Sequence, residues 1–125
     1  MSRTLTLKHD GALSLADIED VAYGRATVAL DAATRSRVAA YRDCAVQQLA
    51  AKPDKRVYGV NTGFGSNYKD YVAPEALKRL QRNLILSHCA GVGAPAPAPV
   101  VRATMLLRAA SLARGRSVVR PVVIE

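Results

Sequence analysis

Tryptophan is missing from these 125 residues and phenylalanine occurs once, leaving five tyrosines to supply nearly all the aromatic surface. A chain this poor in large rings does not build its core on aromatic stacking. Alanine, leucine and valine dominate its 50% hydrophobic share, a mixture that suits packed helices better than a β-sandwich. Cysteine is also scarce. Cys44 and Cys89 are too few and too far apart for a disulfide framework, and neither opens a Cys-x-x-Cys metal pair. They read as two reduced, mostly buried thiols, with a single bridge between them as the alternative. Long apolar runs are absent as well. None approaches the ~20 residues needed to cross a bilayer, and the start of the chain, through Asp10, lacks the sustained apolar segment of a secretory leader. The expectation is a cytoplasmic protein with no membrane partner and no metal site.

The formal charge of +8 raises the question of a nucleic-acid partner. Its cations are spread along the chain instead of clustered, and no stacking aromatics are interleaved with them. Several stand where helices favour them, such as Arg114 before Gly115, at the negative end of a helix dipole. Solvated faces and subunit contacts account for this charge better than specific nucleic-acid binding, although weak, salt-sensitive attraction to polyanions is expected.

The length fits one domain with a real core. Thr4–Leu7 alternates like a short strand, and His9-Asp10-Gly11 reads as a surface turn. Ser14 with Asp17 forms a capping arrangement for a helix over Leu15–Tyr23, ended by Gly24. Thr27–Leu30 is a second short strand. Asp31 caps a longer helix to about Ala51, stopped by Pro53 and Asp54. Ser66–Val72 is polar and irregular, with Tyr68 and Tyr71 expected to be half-buried. Pro74 and Glu75 open a helix whose Leu77, Leu80, Leu84 and Ser87 or His88 share one face, which sets His88 near the apolar side; Gly91-Val92-Gly93 closes it. Pro95 to Pro99 is a stiff extended link. The helix from about Val100 to Arg114 is apolar nearly all round, and such a helix has to be covered on every side. The predicted architecture is mainly α, with one or two short N-terminal strands, and reads as a piece of a larger helical protein.

Between the second and third helices lies Val57-Tyr58-Gly59-Val60-Asn61-Thr62-Gly63-Phe64-Gly65, a lid-like loop of about residues 57–66. Three glycines in seven residues make it a poor strand and a poor helix. Two readings stand side by side on composition alone. One is a glycine-rich connector whose Tyr58 and Phe64 plug a core; the other is a bending loop that presents Tyr58, Asn61 and Thr62 to a ligand.

This segment, together with Leu80-Gln81-Arg82-Asn83-Leu84-Ile85-Leu86-Ser87-His88-Cys89-Ala90-Gly91-Val92-Gly93, resembles the amino-terminal part of the aromatic amino acid ammonia-lyases, and among them the enzymes acting on histidine. The similarity runs more loosely from Thr4-Leu5-Thr6-Leu7 to Arg120-Pro121. It implies the helical ammonia-lyase fold and non-oxidative loss of ammonia from L-histidine, giving urocanate. It implies Tyr58 as the catalytic base on a mobile loop bent at Gly59, Gly63 and Gly65. Thr62 belongs to the same lid, and Asn61 is placed to bind substrate. Ser87 and His88 would read the substrate ring, since an imidazole can exchange a hydrogen bond with another imidazole. A phenol is a reluctant base at neutral pH, so its anion needs positive charge or hydrogen bonds nearby.

No external cofactor is implied. The family's electrophile is a methylidene-imidazolone formed from its own Ala-Ser-Gly triplet, and that triplet occurs nowhere in the chain. The nearest approach, Ala110-Ser111-Leu112, has the wrong third residue. Ala110 also stands where relatives often carry asparagine, and Val118 where a Ser-Gly step is usual. The chain alone is therefore expected to be inactive, and its expected partners are a histidine-like substrate and either further copies, as in the family's homotetramer, or the rest of the lyase. The rival reading is a non-catalytic, truncated relative serving as an interaction or oligomerisation module.

Overall fold

The structure, a computed structural model, describes residues 3–125. Two short strands, β1 (Arg3–Leu7) and β2 (Ala26–Leu30), flank helix α1 (Leu15–Ala22). They pair in parallel, Arg3 opposite Ala26 through Leu7 opposite Leu30. Parallel neighbours need a crossover, and α1 supplies it. Its start is well specified. The Ser14 hydroxyl accepts from the Asp17 amide at 3.1 Å while the Asp17 carboxylate accepts from the Ser14 amide at 2.9 Å, so two otherwise orphaned donors are satisfied reciprocally.

Asp31 opens helix α2 (Ala32–Ala50), accepting from the Thr34 amide at 2.9 Å. Helix α3 (Pro74–His88) starts on its proline, and α4 (Ala98–Ala113) carries Pro99 in its first turn. Proline is tolerated there because that amide has no intrahelical partner. The stiff link therefore ends at Pro97, two residues earlier than expected. Cys89 closes α3 before Gly91 is reached. Two single 3-10 turns, Gly65–Asn67 and Pro121–Val123, complete the secondary structure of the described residues.

The chain divides into two compact units: the chain through Ala51 with Pro95–Glu125, and Lys52–Ala94. In the first, Leu7, Val21, Ala26 and Leu106 form the core, with Leu5, Leu13, Ile18, Leu30, Ala109 and Ala110 packed against it. Helix α4 thus buries one face on α1. Its other sides stay open: Val100, Val101, Met105 and Leu107 are all exposed, Met105 at 66%. Arg3 bridges Asp17 and Asp20, which binds β1 to α1, and Arg25 bridges Glu19 and Asp20, which fastens the turn before β2 to the same helix. The Ser14 hydroxyl and amide, then Arg3, hold the Asp17 carboxyl down at about 2.

Three expectations about side chains need correction. Tyr68 and Tyr71 are exposed, not half-buried, because the Ser66–Val72 segment folds back on the loop backbone and leaves their rings outside. Cys44 and Cys89 are free and exposed, not buried. No residue of α3 is buried, so His88 is exposed although it shares the leucine face. Among the described residues no helix is long and apolar enough to cross a membrane.

Candidate active site

Every residue singled out for chemistry falls in the Lys52–Ala94 unit. The glycine loop is held in shape by its own polar groups. The Val57 amide donates to Asn61 Oδ1 at 2.7 Å, and Asn61 Nδ2 donates to the Lys55 carbonyl at 2.9 Å. Asn61 therefore uses both ends of its amide to close the turn that carries Tyr58. Thr62 is 2% exposed. Its hydroxyl accepts from the Gly59 amide at 3.3 Å and donates to the Gly63 carbonyl at 3.0 Å. A single antiparallel bridge, Thr62 with Tyr71, ties the loop to the segment that follows.

The glycines divide into two kinds. Gly59 and Gly65 take positive φ, at 76° and 58°, where a side chain is strained. Gly63 does not; a Cβ there would fall 2.5 Å from the Asn67 carbonyl oxygen, so it is required by close backbone approach.

Tyr58 lies against Phe64 edge to face, ring centres 5.9 Å apart, yet stays 63% exposed. Its hydroxyl oxygen accepts a long bond from the Gly65 amide, 3.4 Å. The ring packs on Phe64 without being buried, so it does not plug a core, and a backbone amide faces its oxygen.

Ser87 and His88 occupy the last turn of α3. The Ser87 hydroxyl donates to the Leu84 carbonyl at 2.8 Å, and His88 Nδ1 stands 2.8 Å from the same oxygen. His88 lines a shallow cavity of about 400 Å³ with Leu84, Ile85 and Cys89. No hydrogen bond or ring contact joins Tyr58 to His88 among the described residues. They are related through a residue that the sequence reading passed over. Gln81 Nε2 donates to the Gly59 carbonyl at 3.2 Å, fastening the loop to α3. Gln81 and His88 are seven residues apart, two helical turns, and so share a face with a rise of roughly 10 Å between them. That spacing was the available signal. Among the described residues no cluster of three or more His, Cys, Asp or Glu side chains is placed to hold a metal.

Residues 13–125 match the family described as aromatic amino acid lyase. The histidine ammonia-lyase of Paracidovorax citrulli is 42% identical over 122 residues, 98% of this chain and 23% of that protein. Among solved structures, the ergothioneine-degrading ergothionase of Treponema denticola superposes with a TM-score of 0.85 at 32% identity, covering 97% of this chain and 24% of that one. The histidine ammonia-lyase of Trypanosoma cruzi gives 0.75 at 30% identity, covering 94% and 22%. The chain spans 22–23% of the length of the curated relatives it matches.

Proposed function

The chain belongs to the aromatic amino acid lyase family, and from that premise we propose that it is the amino-terminal segment of a histidine ammonia-lyase-like enzyme, which eliminates ammonia from L-histidine to give urocanate. The observation that carries this reading is the pairing, in one compact unit, of an open tyrosine hydroxyl on a glycine loop with a Ser-His pair at a helix end, the loop pinned to that helix by Gln81. Sequence identity of 42–46% to histidine ammonia-lyases supports the substrate.

In this reading Tyr58 removes the β-proton. Its exposure leaves the oxygen open to a substrate's β-hydrogen, and the Gly65 amide is the backbone donor that faces it. Ser87 and His88 hold the substrate ring. Asn61 acts through the loop: by closing the turn from Lys55 to Asn61 it aims Tyr58, and its contribution to substrate binding runs through that geometry. Thr62 keeps the lid rigid between the bends at Gly59 and Gly65, and closure over substrate excludes water.

The residues of this chain do not fit the family's self-formed methylidene-imidazolone, because no Ala-Ser-Gly run is among them; that group would come from outside this segment. The proposed setting is a cytoplasmic homo-oligomer with no membrane partner and no specific nucleic-acid partner. L-Histidine added to the complete enzyme yields urocanate, read by its ultraviolet absorbance, whereas the 125-residue chain alone yields none. Steady release of urocanate by the chain alone overturns this division of labour.

The exposed apolar sides of α4 favour a second reading, a non-catalytic oligomerisation module. A defined oligomer of the purified chain, with no effect on any lyase it joins, would favour that reading over the first.

A further inference from the structure

The last turn of α3 determines which ring nitrogen of His88 bears the hydrogen. Nδ1 stands 2.8 Å from the Leu84 carbonyl oxygen. A carbonyl oxygen only accepts, so a contact this short is attractive only when Nδ1 carries the proton. A bare Nδ1 would set one lone pair against another. The Ser87 hydroxyl lies 2.8 Å from the same carbonyl and 3.1 Å from Nδ1. Its single proton satisfies the carbonyl, which leaves the serine oxygen as a second acceptor for Nδ1–H. The opposite arrangement, with serine donating to a bare Nδ1, gives up the serine–carbonyl bond and keeps the repulsion. Nε2 makes no hydrogen bond among the described residues, and the ring borders the open cavity beside Leu84, Ile85 and Cys89.

We propose that Ser87 and the Leu84 carbonyl lock neutral His88 in the Nδ1–H form, so that Nε2 is purely an acceptor and the ligand ring that meets it has to bring a hydrogen-bond donor. Ser87 is then a positioning residue that acts through His88. The tautomer follows from the helix end itself; its consequence for substrate rests on the lyase reading. An imidazole N–H or a phenol O–H meets the requirement. A phenyl ring does not, nor does an imidazole methylated at the nitrogen that faces Nε2.

The test is nuclear magnetic resonance of the chain labelled with ¹⁵N-histidine, recorded with the rings neutral. It has only two histidines, and a His9→Gln variant assigns the signals. The expected His88 spectrum has a protonated, pyrrole-type Nδ1 and a bare, pyridine-type Nε2. The reverse pattern, or an even mixture, overturns the proposal. Ser87→Ala keeps the Leu84 carbonyl contact, so Nδ1–H is expected to stay the major form while a measurable share of Nε2–H enters, with unchanged circular dichroism. Ser87→Thr, which keeps the hydroxyl, is expected to restore the single form. An unmixed spectrum in Ser87→Ala removes serine from the lock. These spectra need no turnover. A wrong tautomer therefore leaves the lyase reading standing, and absence of urocanate from the complete enzyme leaves the tautomer standing.

Discussion

Replacing Gly63 by alanine sets a methyl group 2.5 Å from the Asn67 carbonyl oxygen and 2.8 Å from the Asn67 Cβ. Real Cβ atoms essentially never come closer than 3.0 Å, so the Gly65–Asn67 turn has to retreat by about half an ångström. That retreat strains the Gly63 amide bond to Asp70, 2.9 Å, and the Val72 amide bond to Asn61, also 2.9 Å. Overpacking of this kind costs about 1–3 kcal/mol, and the stiffer unfolded chain returns about 0.4–1 kcal/mol of it. Taking the middle of each range, the net loss is about 1.3 kcal/mol, roughly a tenfold change in the opening equilibrium. Gly65 is the control. Its φ of 58° disfavours alanine, but its surroundings are empty. The left-handed strain of about 1–2 kcal/mol, less the same entropic return, leaves a cost of about 0.8 kcal/mol at the middle of each range. Amide hydrogen exchange at Gly63 and Val72 reads both variants. Protection should fall further in Gly63→Ala than in Gly65→Ala. Equal loss, or the reverse order, refutes the claim that close backbone approach and not positive φ makes Gly63 a glycine.

Val118 is a β-branched residue at φ 54°, so Val118→Gly should relieve about 1–2 kcal/mol of strain against a glycine entropy cost of about 0.5–1 kcal/mol. Thermal unfolding of that variant is expected a few degrees above the parent; a lower midpoint contradicts the strain argument. Asp17, held at about 2 against its ordinary 3.8, binds fewer protons folded than unfolded across that interval. Its contribution is complete above about pH 4 and is lost as pH falls through about 2. The stability gap between the parent and Ser14→Ala should accordingly narrow between pH 5 and pH 2 in denaturant titrations; a constant gap would separate Ser14 from the Asp17 carboxylate.

Legibility in the sequence followed local chemistry. Ser14 with Asp17, Asp31 and Pro74 announce helix starts through side chains that act within three residues, and all three helices begin where those residues place them. The pairing of β1 with β2 was not legible. It depends on α1 folding over both, a contact between residues more than twenty apart. Burial was misjudged where a side chain's neighbours are distant in sequence: Cys44, Cys89, Tyr68 and Tyr71 all lie exposed. For the site, the motif named Tyr58 and His88 but not the way the structure relates them. Gln81 reaching the Gly59 carbonyl, and Asn61 spending its amide on Val57 and Lys55, are contacts that no residue pattern states.

The central claim is that the Tyr58 oxygen is the base. Tyr58→Phe in the complete enzyme keeps the ring that packs edge to face on Phe64 and loses only the 3.4 Å bond from Gly65. Folding should therefore change little, while conversion of histidine to urocanate falls by at least about a hundredfold. Turnover equal to that of the parent enzyme, with the fold intact, would contradict the account.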